Sequence, residues 1–232
     1  MLAAAGVVIA LTVLVTAFGG GGGSAAAPVT PANASRLLPA GPPLPQVISR
    51  LGTLDLQLPI NQSRVTAIGY SGGAAGALAL APVGAQANEG LLKRLVHKVV
   101  GGGSGSPRWY QLPGGTGPPT SALNVGAPPK TDVYAPVNGT IVGISKVVLN
   151  GRVYGRRIDI QPASAPSLVV SVSRLRPDPS LKVGATVTKQ SSKLGQVLDL
   201  STVEEQALAR FTNDEGNHVL LEVHPAAGLQ GI

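Results

Sequence analysis

Gly69-Tyr70-Ser71-Gly72-Gly73 reads G-x-S-x-G, the pattern that sets a nucleophilic serine on a sharp strand-to-helix turn. The chemistry it could support is acyl transfer, in which a serine attacks, a histidine takes its proton and an acid orients the histidine. His218 and His224 come late in the chain, and Asp159 and Asp178 precede them, which fits the order serine, acid, histidine. The surrounding elements do not fit. Such an elbow follows several parallel strands with crossover helices, and here only a short proline-rich stretch precedes Ser71. No HGGG-type segment is present to supply an oxyanion hole. Ser71 is therefore expected in a glycine-rich turn between two strands, with no histidine near its hydroxyl.

The elements that would position any site are mostly short β-type runs. "RWYQL", "DVYAPV", "GTIVGISKVVL", "RRIDIQP", "SLVVSVSRL", "GATVTKQ", "KLGQVLDL" and "HVLLEVHP" follow one another after residue 107, separated by Asn-Gly pairs and prolines. That spacing predicts a sandwich or barrel. "STVEEQALARF", Ser201 to Phe211, is the one helical insert, with Ser201 and Glu204 placed as a capping box. Before residue 101 the pattern differs. "GTLDLQL", "SRVTAIGY" and "GALALAPVG" read as three short strands. "NEGLLKRLVHKVVGGG" reads as an amphipathic helix capped by Asn88, with Lys93, Arg94, His97 and Lys98 on its polar face. The expected layout is a small α+β module over 46–100, a flexible joint "GGGSGS" over 101–106 and a β-domain over 107–228.

The first 45 residues point to export. Leu2 to Phe18 is uncharged and almost wholly apolar, close to the roughly 17 residues needed to span a bilayer. A Gly/Ala/Pro-rich linker over 19–45 follows it. Residues 1–18 are read as a membrane anchor, with a cleaved signal segment as the alternative. The rest of the chain is then extracytoplasmic, on a single-pass membrane protein or a secreted one.

Composition excludes several functions. Cysteine is absent, so neither disulfides nor thiolate metal sites are available. Aromatic residues make up only 3% of the chain, and the charge of +7 is scattered rather than clustered, which argues against nucleic-acid binding. A core of small aliphatic side chains favours sheets.

One layout is recognisable across Leu123 to Pro225. "TDVYAPVNGTIVGI", "YGRRIDIQP", "VVSVSRL", "LKVGATVTKQSSKLGQV" and "GNHVLLEV" occur in that order. Together they resemble the β-core, or duplicated hybrid motif, of the M23 family, the lysostaphin-like zinc endopeptidases that cut bacterial peptidoglycan peptides. The resemblance implies an M23-like β-sandwich, a barrel-sandwich hybrid, within a mainly β chain. It also implies where a zinc site would lie. The family's H-x-x-x-D falls on Asn124 to Pro128, its His-Leu on Arg174-Leu175, and its H-x-H on His218-Val219-Leu220. Only His218 keeps a family active-site position. Asn124 is a poor zinc ligand, and Pro128 and Leu220 offer no side-chain donor. Arg174 cannot take a proton at neutral pH.

The expectation is a pseudoenzyme. It would be a cell-wall or envelope module that binds peptidoglycan or regulates an envelope protein, with no confident catalytic residue, no metal and no other cofactor. His218, Arg174 and Asn124 are its groove candidates, and Arg174 is expected as a free cation suited to a peptide carboxylate. Two alternatives stand. One is an active M23-type enzyme with a rearranged zinc site built from His218, His224 and an aspartate, although Asp132 and Asp159 are not at metal spacing to either histidine. The other is a lipoyl-like domain or membrane-fusion adaptor, which the half-motifs "APVNGTIVGI" and "VGATVTKQSSKLGQV" also resemble. A lipoyl carrier would need its lysine at a hairpin tip, and Lys146 is not in such a turn.

Overall fold

The computed structural model describes residues 40–88 and 107–229. The expected anchor over 1–18, nearly all of the linker, the helix expected after Asn88 and the joint over 101–106 lie outside them. Among the described residues no helix is long and apolar enough to cross a membrane.

The described chain is mainly β. Its strands in order are β1 (Val47–Leu51), β2 (Leu54–Gln57), β3 (Ile68–Ser71), β4 (Ala81–Pro82), β5 (Ala85–Gln86), β6 (Arg108–Gln111), β7 (Ala122–Gly126) and β8 (Asp132–Tyr134). They continue as β9 (Gly139–Leu149), β10 (Arg152–Pro162), β11 (Leu168–Pro177), β12 (Thr186–Val187), β13 (Lys193–Val197) and β14 (His218–Pro225). β2, β1 and β4 form a small sheet. The large sheet runs β12-β9-β10-β11-β14-β7-β3-β6-β5, with β13 and β8 branching from β11. Its centre, from β9 to β3, is antiparallel throughout.

Period-two alternation gives this sheet two distinct faces. One carries Ile158, Ile160, Val170, Val172, Val219, Leu221, Val223, Leu123, Val125, Ile68 and Tyr70. These bury against Ile48, Leu54, Leu56, Leu58 and Ile60 and against Val133, Val137 and Leu194 in a single core. Tyr70 is fully buried there. Its hydroxyl donates to the Ile48 carbonyl at 2.8 Å, and its ring meets Trp109 edge to face at 5.2 Å. Burial pushes its phenol up to about 12.

Two sequence expectations change. The stretch read as a separate module does not stand apart over its described residues. β3 pairs with β7 inside the large sheet, and the core is shared between the stretches on either side of residues 89–106. "SRVTAIGY" supplies a seam strand of the main sheet, and the helix expected of that module lies outside the described residues. The insert at Ser201 to Phe211 holds only a short 3-10 turn, Ala207–Phe211, without a side-chain cap. The capping box is not made because Ser201 donates its hydroxyl to Asp199 at 2.7 Å, and Glu204 turns to Arg174 instead.

Candidate functional site

The second face of the large sheet is polar, and its rows follow from register. Asp159 lies opposite Ser171, Ser171 opposite Glu222, Glu222 opposite Ala122 and Ala122 opposite Ser71. The neighbouring row runs Ser173, Leu220, Asn124, Gly69. His218 lies one step further, opposite Gly126. Direct cross-strand partners share a face, so Asn124, Leu220, His218 and Ser71 come together from three strands.

Arg174 joins them through a bulge. Arg156 pairs with Leu175, while Ile158 pairs with Val172, so β11 carries one extra residue between those pairs. Arg174 absorbs it with a φ of 63°. The extra residue lets Leu175 return to the core while Arg174 stays on the groove side.

These side chains floor an open groove of about 510 Å³. Its rims are the loop from Leu112 to Thr116 and the segment from Glu204 to Ala207. Asn217 fixes the second rim by accepting from the Leu200 N–H at 2.8 Å. The first rim is held by the Gly72 N–H, which donates to Gly114 at 3.0 Å. The rims approach each other over Gly69, where an added Cβ would come within 2.6 Å of Leu112 and 3.1 Å of Leu208. An added Cβ at Gly73 would come within 2.7 Å of Glu222 Oε1. Packing therefore accounts for both glycines of the G-x-S-x-G pattern. Ser71 itself is not in a turn, as the sequence had suggested, but ends β3. Its hydroxyl accepts from Asn124 Nδ2 at 3.2 Å.

The groove is rich in acceptors. His218 is 6% exposed, and its Nδ1 lies 3.0 Å from the Gly216 carbonyl. A carbonyl only accepts, so Nδ1 carries the proton and Nε2 is left as an acceptor. Burial, helped by the Arg174 charge, lowers this imidazole to about 4, so it is neutral at physiological pH. Asn124 spends its amide nitrogen on Ser71 and the Ala122 carbonyl and keeps its oxygen. Glu222 accepts from the Ala74 N–H at 2.7 Å. Burial alone would raise Glu222, but His224, the Ala74 N–H and Arg157 together hold it below the usual glutamate range. Arg174 is not the free cation expected from sequence. It is ion-paired to Glu204 and donates to Gln206 at 3.2 Å. Nothing in the spacing of residues 174 and 204 announced this pair.

The residues present do not fit a zinc. Leu220 lines the groove without a donor. Pro128 lies beyond β7, exposed, with its carbonyl accepting from Thr131. His218 and His224 do share a face of β14, as period two required. Six residues of strand put them about 20 Å apart, so they cannot ligate one ion. Asp132 is paired with Lys193 and Asp159 with Arg157. Among the described residues no group of three or more His, Cys, Asp and Glu could hold a metal.

No family model matches the sequence, and no curated protein does. Several solved structures are similar, among them two peptidase structures. The solution structure of lysostaphin matches at 15% identity and a TM-score of 0.32, over 46% of this chain and 36% of that one. The chain thus spans about a third of the lysostaphin chain's length. The M23 metalloprotease pseudoalterin, from the deep sea, matches at 16% identity and a TM-score of 0.36, over 75% of this chain and 72% of that one. Each is a likeness in chain path alone. The chemistry is argued from this chain's own groove.

Proposed function

We propose that this is an exported, envelope-associated protein whose M23-like domain binds wall-type peptides without cutting them. One observation carries the reading. At the positions where the family motifs would place zinc ligands, the groove presents a tied amide at Asn124 and an apolar side chain at Leu220, while Pro128 stands outside it. What remains is a floor of hydrogen-bond acceptors with a fixed shape. His218 Nε2, the Asn124 oxygen and the Glu222 carboxylate suit the N–H groups of an extended peptide. The apolar run from Leu2 to Phe18 supports the location. Peptidoglycan peptides are the proposed ligand, and regulation of an envelope protein through the same groove is the proposed role.

The test is co-sedimentation with insoluble peptidoglycan, with the supernatant analysed for released peptides in the presence of zinc. Retention of the wild type, loss of retention in Asn124→Leu and no released peptide are expected. Release of peptides, absent from His218→Ala, would establish an enzyme instead.

A further inference from the structure

The groove leaves a separate feature of the sheet unused. Beyond Ile141, β9 has no partner on its outer side among the described residues. β12 pairs only with Gly139 and Thr140, and the last contact on that side joins Ile141 with Gly184 and Ala185. From Val142 to Leu149 the strand is an open edge, paired only with β10. Its tip is a tight turn at Asn150 and Gly151, both with positive φ, which stiffens the hairpin. Val142, Val148 and Val153 are exposed along it.

The charge on this hairpin is one-sided. Lys146 and Arg156 are direct cross-strand partners, and like charges placed opposite one another are unfavourable. Neither has an ion-pair partner among the described residues. At the foot of the hairpin Arg156 and Arg176 line an open hollow of about 340 Å³ together with Asp199. Asp199 is already engaged by Ser201 and Asn217, and Arg176 has no ion-pair partner there either. A lone lysine commonly keeps an edge strand from pairing. A facing pair of cations does more than that, because it selects the charge of whatever pairs.

We propose that the edge from Val142 to Leu149 docks an extended acidic peptide segment of a partner protein by strand addition. The partner's backbone completes the sheet. Its carboxylates, on alternate residues and so on one side of the added strand, face Lys146 on β9 and, behind it, Arg156 on β10. A second copy of this chain is a poorer occupant, since it would bring Lys146 against another cationic hairpin. This surface lies on the hairpin, away from the groove residues, and does not rest on the peptidoglycan reading.

The experiment uses the full chain and a labelled, end-blocked decapeptide of alternating Thr and Glu, read by fluorescence anisotropy. The control is the same peptide methylated on every backbone nitrogen, which keeps its charge and leaves neither edge able to add as a strand. Saturable binding is expected for the first peptide and none for the second. The double variant Lys146→Glu, Arg156→Glu should weaken binding by about tenfold or more, and Asn124→Leu should leave it unchanged. The reversals sit on the hairpin, and an unaltered circular dichroism spectrum establishes that the fold is kept. Equal binding of both peptides would overturn the proposal in favour of plain attraction to any polyanion. No binding of either would overturn it too. Concentration-dependent self-association, abolished by the reversals, would assign the edge to a second copy.

Discussion

Arg174 and Glu204 form an ion pair at the groove, the guanidinium of one against the carboxylate of the other. The pair joins the bulge of β11 to the rim that follows β13. It cancels the one cation that the sequence placed beside His218, and so it changes what the groove recognises. A free arginine would select carboxylates and lose them in salt. The paired one leaves the acceptors of His218 and Asn124 to set the chemistry.

Retention on peptidoglycan should therefore change little between low and moderate ionic strength. Glu204→Gln should create the salt dependence that the wild type lacks, because it frees the guanidinium. It should cost about 1 kcal/mol of stability, since both side chains are partly exposed. Co-sedimentation across a salt series and urea melts of both proteins check this. Strong salt sensitivity in the wild type would contradict it.

Ser71→Ala should keep the fold and the binding. It removes the acceptor of the Asn124 amide, at a cost of about 1 kcal/mol. A fluorophosphonate probe should leave Ser71 unlabelled, as mass spectrometry of the treated protein would read.

Acid should destabilise the domain through His218. Its folded value is about 4, against roughly 6.5 in an unfolded chain. Between those values the unfolded state binds more protons, so stability falls as pH falls through that window. From pH 7 to pH 5 the loss is about 2 kcal/mol. His218→Gln should flatten that part of the profile. Glu222 acts in the same direction but lower down, since its folded value is depressed, and its contribution is lost as pH falls below the usual glutamate range. Urea midpoints at a series of pH values separate the two.

Gly115→Ala should collapse the first rim. Its φ is +78°, and an added Cβ would come within 1.8 Å of the Gly72 carbonyl oxygen. Backbone cannot yield there as a side-chain tip could, so a cost of about 3 kcal/mol is expected, with loss of peptidoglycan retention. Thermal melts together with co-sedimentation measure both.

Much of the β-domain was legible because alternation and turn chemistry are local. "GTIVGISKVVL" is β9 and "HVLLEVHP" is β14, residue for residue. Asn124 and His218 line one groove because β7 and β14 are neighbours in the sheet. β7 was missed as a strand. It is buried along its whole length, so "ALNVG" shows no alternation to read. The G-x-S-x-G pattern misled about Ser71 because its glycines answer to Leu112 and Glu222, which are distant in sequence. The Arg174–Glu204 pair was illegible for the same kind of reason. It depends on a bulge and on a rim loop, and neither leaves a periodic signal.

The central claim is that the groove binds a peptide and leaves it whole. Its most direct test is an NMR titration of the full chain with soluble peptidoglycan peptides, observing the His218 ring nitrogens and the Asn124 side-chain amide. The account predicts saturable shifts at His218 Nε2 and Asn124, with the ligand's own spectrum intact after prolonged incubation with zinc. Absence of shifts at both residues, or the appearance of new amine and carboxylate termini in the ligand, would contradict it.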